Sequence, residues 1–461
     1  MKAPAIICAV VGTFLLGLAS SAALSQEELQ RPQADALPRT NQKIADLVSA
    51  MDFNIVADGR TDQSTKINAA LAAFAASGGA LTFPASSSCY FIANPINLTQ
   101  DGVTIRGDNQ KTTKFCYPSG YRNVALRIGS SGSNPARVLV SDVGFVPVSG
   151  FAGGAVAVYV GSGNDVQLSR IEVDNTNVAI QIENDPPTTT TFGIYLYQPF
   201  LNACGTACIL IGAETASGTS RVPTKIVVRD GNLSGHDRGS DCIVLSGIAD
   251  FDFYEVSTLF CNHGLLIAPG ARQTVQVGKI VASYFDSSYT YGALLTTRDA
   301  TAKVVNLELV GDWFGSNGGL SSPSGPSSCT GAYAGLRVDQ ASGLIGGIQV
   351  TGGQSVNNCG PGIDLVAGSY MQFYNHQIEG NSQRSPGTLP GFRVGAATSH
   401  IQISGGTSGA SALGFGKTQS YGYEVANGAD YVTITGTDGT GNASGSVKIG
   451  AVPHLINANN F

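Results

Sequence analysis

The feature that most constrains the fold of this chain is a four-residue unit that recurs along most of its length. In each copy a small residue is followed by an apolar residue, a variable residue and a second apolar residue, as in Ala125-Leu-Arg-Ile128. A sequence period of about 20–50 residues is typical of a solenoid or another repeat array. The twelve copies begin at Ala125, Ala157, Ala179, Cys208, Cys242, Gly264, Gly292, Gly335, Gly362, Gly391, Gly422 and Ser446.

The copies of this unit have the pattern of β-strands. Apolar and variable residues alternate with period two, which is typical of a strand with one buried face. No helical pattern separates the copies, so a sheet built from strand–helix–strand units is excluded. The sequence therefore predicts an all-β parallel β-helix, a solenoid of short stacked strands. A propeller needs four antiparallel strands in about 40–45 residues, and most spacings here are shorter, such as 22 residues from Ala157 to Ala179.

The composition agrees with such a solenoid. The 461 residues include 59 glycines and only 13% are charged, which suits many tight turns and few amphipathic helices. The formal net charge of −6 argues against nucleic acid as a partner.

The N-terminus has the pattern of a secretory signal peptide. Lys2 precedes the apolar run Ala5–Ala19, and small residues follow, which predicts a signal peptide over residues 1–25. Because this run is shorter than the ~20 residues that a spanning helix needs, we expect contact with a membrane only during export. Residues 26–50 are polar and predict a flexible lead-in. Residues 51–461 predict a single β-helix domain, secreted or periplasmic.

A short helix is predicted near the start of this domain, as a cap on the solenoid. Asp62 can cap the helix at its N-terminus, and Gly78-Gly79 ends it. Its apolar face, at helical spacing, consists of Ile67, Leu71 and Phe74.

The variable position of the repeated unit points away from the core, so stacking places it on one outer stripe. An apolar stripe there implies a cover, such as a loop, a partner chain or a ligand. The insertion between Gly292 and Gly335, which includes Trp313, is one candidate. The stripe is polar at both ends of the chain, but its centre consists of Leu210, Val244, Leu266 and Leu294.

Eight cysteines remain once Cys8 is removed with the signal peptide, and an even number in an exported chain predicts disulfides. Cys208 and Cys242 occupy the same place in successive copies, within disulfide range, but Cys261 is a rival partner of Cys242 by proximity in sequence. None of the cysteines has zinc-type spacing, so we predict no metal site and no cofactor. Two further plausible pairs are Cys89–Cys116 and Cys329–Cys359.

The segment Phe53–Gly107 resembles the opening of the pectate-lyase-like superfamily. It carries Asp58-Gly-Arg-Thr-Asp62, then Gly78-Gly-Ala-Leu-Thr-Phe-Pro84 after a helix, and then Val103-Thr-Ile-Arg-Gly107. The later copies, with Glu379-Gly-Asn-Ser-Gln383, are similar to tailspike repeats. The resemblance spans residues 52–450 and implies a right-handed parallel β-helix, as in polysaccharide lyases, glycoside hydrolases, epimerases and tailspikes. It implies a fold rather than one reaction.

One stretch also resembles the active-site motif of polygalacturonases. Ser240-Asp-Cys-Ile243 stands where that family has paired aspartates before a cysteine, and Asn262-His-Gly-Leu265 stands where it has Gly-His-Gly. Ser240 and Asn262 depart from the family's pattern. The family's later Arg-Ile-Lys is absent near Leu295-Thr-Thr297.

Stacking also predicts that Asp241 and His263 are neighbours, because they precede equivalent positions of adjacent copies. A carboxylate beside an imidazole can orient it and hold its proton. Asp241 and His263 are therefore predicted to be catalytic, as general acid and base on a sugar or uronic acid. An inverting glycosidase needs two carboxyls ~6.5–9.5 Å apart, so Asp237 is the third predicted catalytic residue, with Asp230 and Glu255 as alternatives.

Substrate-binding residues are predicted around this pair. Arg298 suits a uronate carboxylate, because its planar fork binds bidentately. His236 lies in a charged cluster just before Asp241. Aromatic faces suit sugar rings, and the densest aromatic patch consists of Tyr284, Tyr289, Tyr291 and Trp313, of which Tyr289 and Tyr291 are the predicted binding residues.

The sequence thus predicts an exported carbohydrate-active protein, either a polysaccharide lyase or a glycoside hydrolase, with an acidic or bacterial exopolysaccharide as its partner. A long parallel sheet presents repeated side chains to a polymer, which suits such a substrate. We expect a monomer or a homotrimer. The alternatives are a non-catalytic polysaccharide-binding or surface-attachment protein and a purely structural solenoid.

Overall fold

Residues Leu47–Phe461 form one compact unit in the computed structural model. The structure describes residues 47–74, 78–130, 132–185, 191–212, 222–319, 329–409 and 416–461. The predicted signal peptide, residues 1–25, and the predicted lead-in up to residue 46 lie outside the described residues. The first strand falls within the rest of that lead-in, at Leu47–Ser49. Among the described residues, no helix has the length and apolar character to cross a membrane.

The strands wind through three faces, which we name A, B and C, and every pairing between named strands is parallel. The chain runs from face A through face B to face C and then returns to face A in the next coil. Successive coils are separated by one strand spacing, about 4.8 Å. This confirms the prediction of an all-β, right-handed parallel β-helix.

The strands are numbered in chain order, and four long strands bend from one face to the next. Face A contains β4 (Ile96–Leu98), β7 (Val124–Ile128), β9 (Ala152–Val160), β11 (Thr176–Ile182), β14 (Ala207–Ile211), β17 (Asp241–Leu245), β20 (Leu265–Ile267), β23 (Ala293–Thr296), β26 (Leu336–Asp339), the first parts of β29 (Ile363–Tyr374) and β31 (Phe392–Ser404), β33 (Tyr421–Val425) and β35 (Gly445–Ile449). Face B contains β1 (Leu47–Ser49), β2 (Gly79–Phe83), β5 (Val103–Gly107), the first parts of β8 (Ala136–Pro147) and β10 (Gly163–Asp174), β12 (Thr191–Tyr197), β15 (Thr224–Arg229), β18 (Ile248–Tyr254), β21 (Thr274–Val281), β24 (Lys303–Val310), β27 (Leu344–Thr351), the second parts of β29 and β31, β34 (Asp430–Thr435) and β36 (Leu455–Ala458). Face C contains β3 (Tyr90–Phe91), β6 (Lys114–Tyr117), the second parts of β8 and β10, β13 (Phe200–Cys204), β16 (Asn232–Gly235), β19 (Ser257–Leu259), β22 (Tyr284–Asp286), β25 (Trp313–Gly315), β28 (Gln354–Val356), β30 (Gln377–Glu379) and β32 (Thr407–Gly409).

The corner between faces B and C is a tight turn. From β8 onward, one or two residues per coil adopt the left-handed backbone conformation there, which lets the chain change direction abruptly. Non-glycine residues at this corner include Asp142 (φ 61°), Asp230 (φ 54°) and Glu255 (φ 54°).

A short helix, α1 (Ser64–Ala72), packs against the N-terminal coils. The Asp62 carboxylate accepts a hydrogen bond from the Ser64 amide at 3.0 Å, and Ile67, Leu71 and Phe74 are buried. The predicted helix and its buried residues Ile67 and Leu71 are therefore confirmed. Its predicted end at Gly78-Gly79 is wrong, because the helix ends at Ala72 and Phe74 lies just beyond it. The N-cap is Gln63 rather than Asp62.

The register predicted from the repeated unit is confirmed across face A. The variable positions pair from each coil to the next, from Arg127 opposite Tyr159 to Glu424 opposite Lys448. At the centre of this stripe Val244 and Leu266 are only 7% and 8% exposed, so they are shielded from water as expected.

The insertion between Gly292 and Gly335 is the predicted cover for the apolar stripe of face A. For Trp313 this prediction is wrong. This residue lies on face C, where β25 pairs with β22 and β28, and its indole N–H donates to Asp286 at 2.9 Å. Residues 320–328, the Gly/Ser/Pro-rich tip of the same insertion, lie outside the described residues.

A ladder of buried side-chain amides runs inside the C-terminal half, at the corner between faces C and A. The amide nitrogen of each member donates to the side-chain oxygen of the next, as from Asn317 to Asn358 at 2.9 Å and from Asn358 to Asn381 at 2.8 Å. Because an amide both donates and accepts, identical residues can satisfy one another at every coil. The ladder consists of Asn317, Asn358, Asn381, Gln419 and Asn442.

This amide ladder explains why the repeated unit begins with glycine in its later copies. A Cβ atom at Gly292 would lie 2.6 Å from the Asn317 side-chain nitrogen, and one at Gly335 would lie 2.7 Å from that of Asn358. Real Cβ atoms do not approach so closely, so a larger residue would displace the amides.

Four disulfides join residues of one coil or of adjacent coils. Cys89–Cys116 and Cys329–Cys359 are confirmed as predicted. The pairing of Cys208 with Cys242 is wrong, because Cys208 bonds to Cys204 and Cys242 bonds to its rival, Cys261. Cysteines that stack in register point in parallel, whereas those on opposite sides of a turn point toward each other.

His376 is a buried histidine that holds the corner between faces B and C. Its Nδ1 contacts the Gly352 carbonyl oxygen at 2.6 Å, and its Nε2 contacts the Ser355 hydroxyl at 2.8 Å. A carbonyl oxygen only accepts hydrogen bonds, so Nδ1 of His376 carries the ring proton. Nε2 then accepts a hydrogen bond from the Ser355 hydroxyl. Burial lowers the pKa of His376 from 6.5 to about 4.

This pKa predicts a loss of stability in mild acid. Between pH 6.5 and pH 4 the folded protein holds His376 neutral, whereas the unfolded chain protonates it. The contribution of His376 to the free energy of unfolding is therefore complete above pH 6.5 and is lost as the pH falls toward 4. A shift of this size corresponds to about 3 kcal/mol. We expect His376→Gln to show a smaller fall in the free energy of unfolding between these pH values than the wild type, as measured by denaturant titration. An equal fall in both proteins would contradict this role.

Candidate active site

Asp241 and His263 lie side by side at the corner where face C turns into face A. Ile243 of β17 pairs with Leu265 of β20, so Asp241 and His263 occupy equivalent positions in adjacent coils. The Oδ1 atom of Asp241 lies 2.7 Å from Nδ1 of His263. The two side chains are 15% and 14% exposed, so the pair is largely shielded but open to water. The predicted proximity of these residues is therefore confirmed.

Two side chains contact Nδ1 of His263, the Asp241 carboxylate at 2.7 Å and the Asn262 side-chain nitrogen at 2.9 Å. An ionised carboxylate only accepts hydrogen bonds and makes the shorter contact, so we assign the imidazole proton to Nδ1 of His263. The same Oδ1 atom also accepts from the His263 backbone N–H and from the Asn262 side chain, each at 3.2 Å. In the neutral imidazole, Nε2 is then an unprotonated acceptor, and we find no partner for it among the described residues.

Tyr291 extends this arrangement into the next coil. Its ring lies parallel to the His263 ring, with the ring centroids 6.0 Å apart and an angle of 11° between the planes. Tyr333 packs edge-on against Tyr291, and the Arg337 guanidinium lies 5.4 Å from the Tyr291 ring centroid. The predicted neighbourhood of Asp241, His263 and Tyr291 is therefore present.

Tyr291 remains a neutral phenol around neutral pH. Burial raises the pKa of its hydroxyl, and the nearby carboxylates of Asp364 and Asp339 raise it further, against the opposing charge of Arg337. A neutral phenol can donate a proton, so this side chain suits the role of an acid.

A network of charged residues begins at Arg337, beside the Tyr291 ring, and continues into the following coils of face A. None of these residues was assigned to the site from the sequence. Arg337 bonds to Asp364 at 2.9 Å and to Asp339 at 2.7 Å, and Arg393 binds both oxygens of Asp364, at 2.7 and 2.8 Å. The only signal in the sequence was the alternation of charge along the variable position of the repeat. Three of the five N–H groups of Arg337 are used in this network, through Nε, Nη1 and Nη2.

Asp237 and His236 lie in the loop just before β17. The Asp237 carboxylate accepts from the backbone N–H of Gly239 at 2.8 Å and from the Ser240 hydroxyl at 3.2 Å, which lowers its pKa. These bonds close its own turn. The His236 ring stacks on Phe151, with centroids 4.3 Å apart.

The remaining predicted residues are spread over several corners. Tyr289 lies near the site, with the Arg238 guanidinium 5.5 Å from its ring centroid. Arg298 follows β23 at the opposite edge of face A, where the chain turns toward face B. The aromatic patch is divided, because Tyr284 and Trp313 pair with each other on face C.

The alternative carboxylates for Asp241 lie elsewhere. Asp230 and Glu255 both occupy the tight corner between faces B and C. Within the described residues, no group of three or more His, Cys, Asp and Glu residues is placed to hold a metal ion.

The disulfide Cys242–Cys261 holds together the two chain segments that carry the Asp241–His263 pair, which we call the dyad. Cys242 directly follows Asp241, and Cys261 precedes Asn262 and His263. The bond therefore fixes the strand end and the turn from which the two side chains project.

Removal of this disulfide should affect the dyad as well as stability. We expect Cys242→Ala with Cys261→Ala to lower the free energy of unfolding by about 3 kcal/mol and to shift the imidazole NMR resonances of His263. The matched control is Cys329→Ala with Cys359→Ala, which should lose similar stability without shifting those resonances. Unchanged His263 resonances in the first variant would contradict this role of the bond.

No protein-family model matches the chain, and no curated protein is significantly similar to it in sequence. Solved structures are similar in fold. The A-module of the Azotobacter vinelandii mannuronan C-5 epimerase AlgE4 has 16% identity and a TM-score of 0.60, covering 89% of this chain and 99% of that one. A tailspike of E. coli bacteriophage HK620, in complex with a hexasaccharide, has 11% identity and a TM-score of 0.57, covering 89% and 80%. The Streptococcus pneumoniae surface adhesin PfbA has 12% identity and a TM-score of 0.51, covering 87% and 91%. The chain therefore shares the parallel β-helix fold of these proteins, as its opening motif predicted.

Proposed function

We propose that this protein is an extracellular polysaccharide lyase that cleaves a uronate-containing chain at the corner between faces C and A. The observation that carries the proposal is the Asp241–His263 pair, in which the carboxylate holds Nδ1 and Nε2 has no hydrogen-bond partner among the residues that the structure describes. Four disulfides support a location outside the reducing cytoplasm.

The proposed reaction is a β-elimination. Nε2 of His263 removes the proton from C5 of a uronate, next to its carboxylate group. The electron pair of that C–H bond forms the C4–C5 double bond, and the C4–O bond to the neighbouring sugar breaks. The departing oxygen takes a proton, so the products are an unsaturated uronate and a new chain end. Asp241 stabilises the imidazolium that forms on His263.

Two further residues are placed to assist this reaction. The neutral hydroxyl of Tyr291, one coil from His263, supplies the proton to the departing oxygen. Arg337 has two N–H groups beyond the three that bind Asp339 and Asp364, and these suit the substrate carboxylate, on which negative charge grows.

Lyase chemistry fits the site better than hydrolysis does. Glycoside hydrolases of the common kinds use two carboxyl groups that flank the scissile bond. At this corner the Asp241 carboxylate is bonded to His263, and the Asp237 carboxylate closes its own turn. The likeness in fold to a mannuronan C-5 epimerase and to a tailspike bound to a hexasaccharide supports a polysaccharide as the substrate.

A non-catalytic polysaccharide-binding protein is the second candidate. It is favoured by the ion pairs of face A, in which Arg337 and Arg393 are both neutralised by carboxylates of this chain. Binding of a polysaccharide without release of unsaturated products would support this candidate.

The experiment is a lyase assay on a panel of soluble uronate-containing polysaccharides, monitored by the ultraviolet absorbance of unsaturated uronate. We expect the wild type to release this product from at least one polymer. His263→Ala should lower kcat about 10²- to 10⁴-fold, because it removes the base. Asp241→Asn should lower kcat at least about tenfold, because it removes the charge that stabilises the imidazolium.

The chain contains a matched control for these variants. Asp430 and His454 form a second pair with the same 2.7 Å contact, but on the exposed surface of face B. Asp430→Asn should therefore keep the wild-type rate. Equal activity of His263→Ala and the wild type would contradict the proposed site, and absence of product from every polymer would contradict the proposed reaction.

A further inference from the structure

Four aromatic rings stack face to face along the outer surface of face B. Tyr370, His400, Tyr431 and His454 come from successive coils, and their ring centroids are separated by 4.4, 4.6 and 4.2 Å. The angles between neighbouring planes are 19°, 10° and 7°. We call this row the ring ladder. The two tyrosines are 62% and 48% exposed, so the ladder stands in water rather than in the core.

The ladder ends at Tyr370 with one ring face uncovered. In the coil below, the position in register with Tyr370 is Gly347, because Gly346 pairs with Ser369 and Ile348 with Met371. Glycine has no side chain to stack on the ring. Among the described residues, His400 is the single ring in contact with Tyr370, and no cation lies over it.

A polar groove begins below this uncovered ring face. It is lined by Gly347 together with charged and amide side chains of four coils, including Asp252, Lys279, Asn306, Glu308 and Gln349. The charges of the groove are paired within the protein. Lys279 lies 3.4 Å from Glu308, and Lys225 lies 3.3 Å from Asp252 and 3.6 Å from Asp250.

We propose that the uncovered face of Tyr370 and this groove form a binding site for a neutral sugar unit of a polysaccharide. The apolar C–H face of a pyranose ring stacks on Tyr370, over the space that Gly347 leaves open. The sugar hydroxyl groups bind the carboxylates and amides of Glu308, Gln349 and Asn306, which offer both donors and acceptors.

The charges of the groove favour a neutral sugar over an acidic one. Three carboxylates, those of Asp250, Asp252 and Glu308, face two ammonium groups, those of Lys225 and Lys279. A uronate would meet a surplus of negative charge there. The site lies on face B, away from the corner that carries His263, and its existence does not depend on the proposed catalysis.

The test is affinity electrophoresis of the full chain in native gels that contain soluble neutral polysaccharides, namely dextran, laminarin, hydroxyethyl cellulose and galactomannan. We expect at least one of these polymers to retard the wild type, equally at low and high salt, because the binding is not ionic. Tyr370→Ala should weaken the retardation at least about tenfold in apparent affinity, and Tyr370→Phe should keep it, because the ring face remains.

Two further variants separate the ring face from the ladder as a whole. Tyr431→Ala removes a ring whose two faces are covered by His400 and His454, so binding should persist. Gly347→His places a fifth ring below Tyr370, so binding should be lost although Tyr370 is intact. Gly347 has the left-handed backbone conformation (φ 68°) that His400 (φ 56°) adopts within the ladder, and the Asn306 side-chain oxygen, 2.8 Å from the new Cβ, can rotate away.

The proposal is overturned if none of the four polymers retards the wild type, or if Tyr370→Ala binds as well as Tyr431→Ala. Retardation that disappears at high salt would also overturn it, since that result indicates ionic binding. His263→Ala provides the link to the other site. It should abolish product release and leave the retardation unchanged, so failure of the lyase proposal and failure of this one are distinguishable.

Discussion

The whole structure depends on the parallel hydrogen bonds that join each coil to the next in a constant register. They satisfy the backbone groups of every internal strand and set the coils one strand spacing apart. They also fix which side chains face inward. A shift of one residue would turn the apolar positions of β17 outward and the variable position inward, so the apolar pattern and the register support each other.

This register forces chemically equivalent positions to become neighbours, and the sequence meets that condition in three ways. Amides can repeat, because each one donates to and accepts from the next, as Asn317, Asn358 and Asn381 do. Aromatic rings can repeat, because they stack, as in the ring ladder. On face A, neighbouring charges of one sign would repel each other, so carboxylates and cations alternate, as Asp364 does with Arg337 and Arg393. The Asp241–His263 pair follows the same rule, with an acid in one coil and a base in the next.

The parts of the fold that follow from register could be predicted from the sequence. The repeated unit was sufficient to place the coils and to bring Asp241 beside His263. The parts that depend on the corners could not be predicted, because turn length and direction decide them. Cys208 does stack on Cys242, but its side chain points to Cys204 across the turn of its own coil. The roles given to Asp237 and Arg298 remain predictions, and the structure places Arg298 at the other edge of face A.

The assignment of His263 as the base is tested most sharply by nitrogen-15 NMR of the imidazole side chains, in a protein that has only five histidines. We expect the neutral ring of His263 to carry its proton on Nδ1, held by Asp241, and Asp241→Asn to remove this preference. A neutral His263 with its proton on Nε2 in the wild type would leave no free base at this corner and would overturn this assignment.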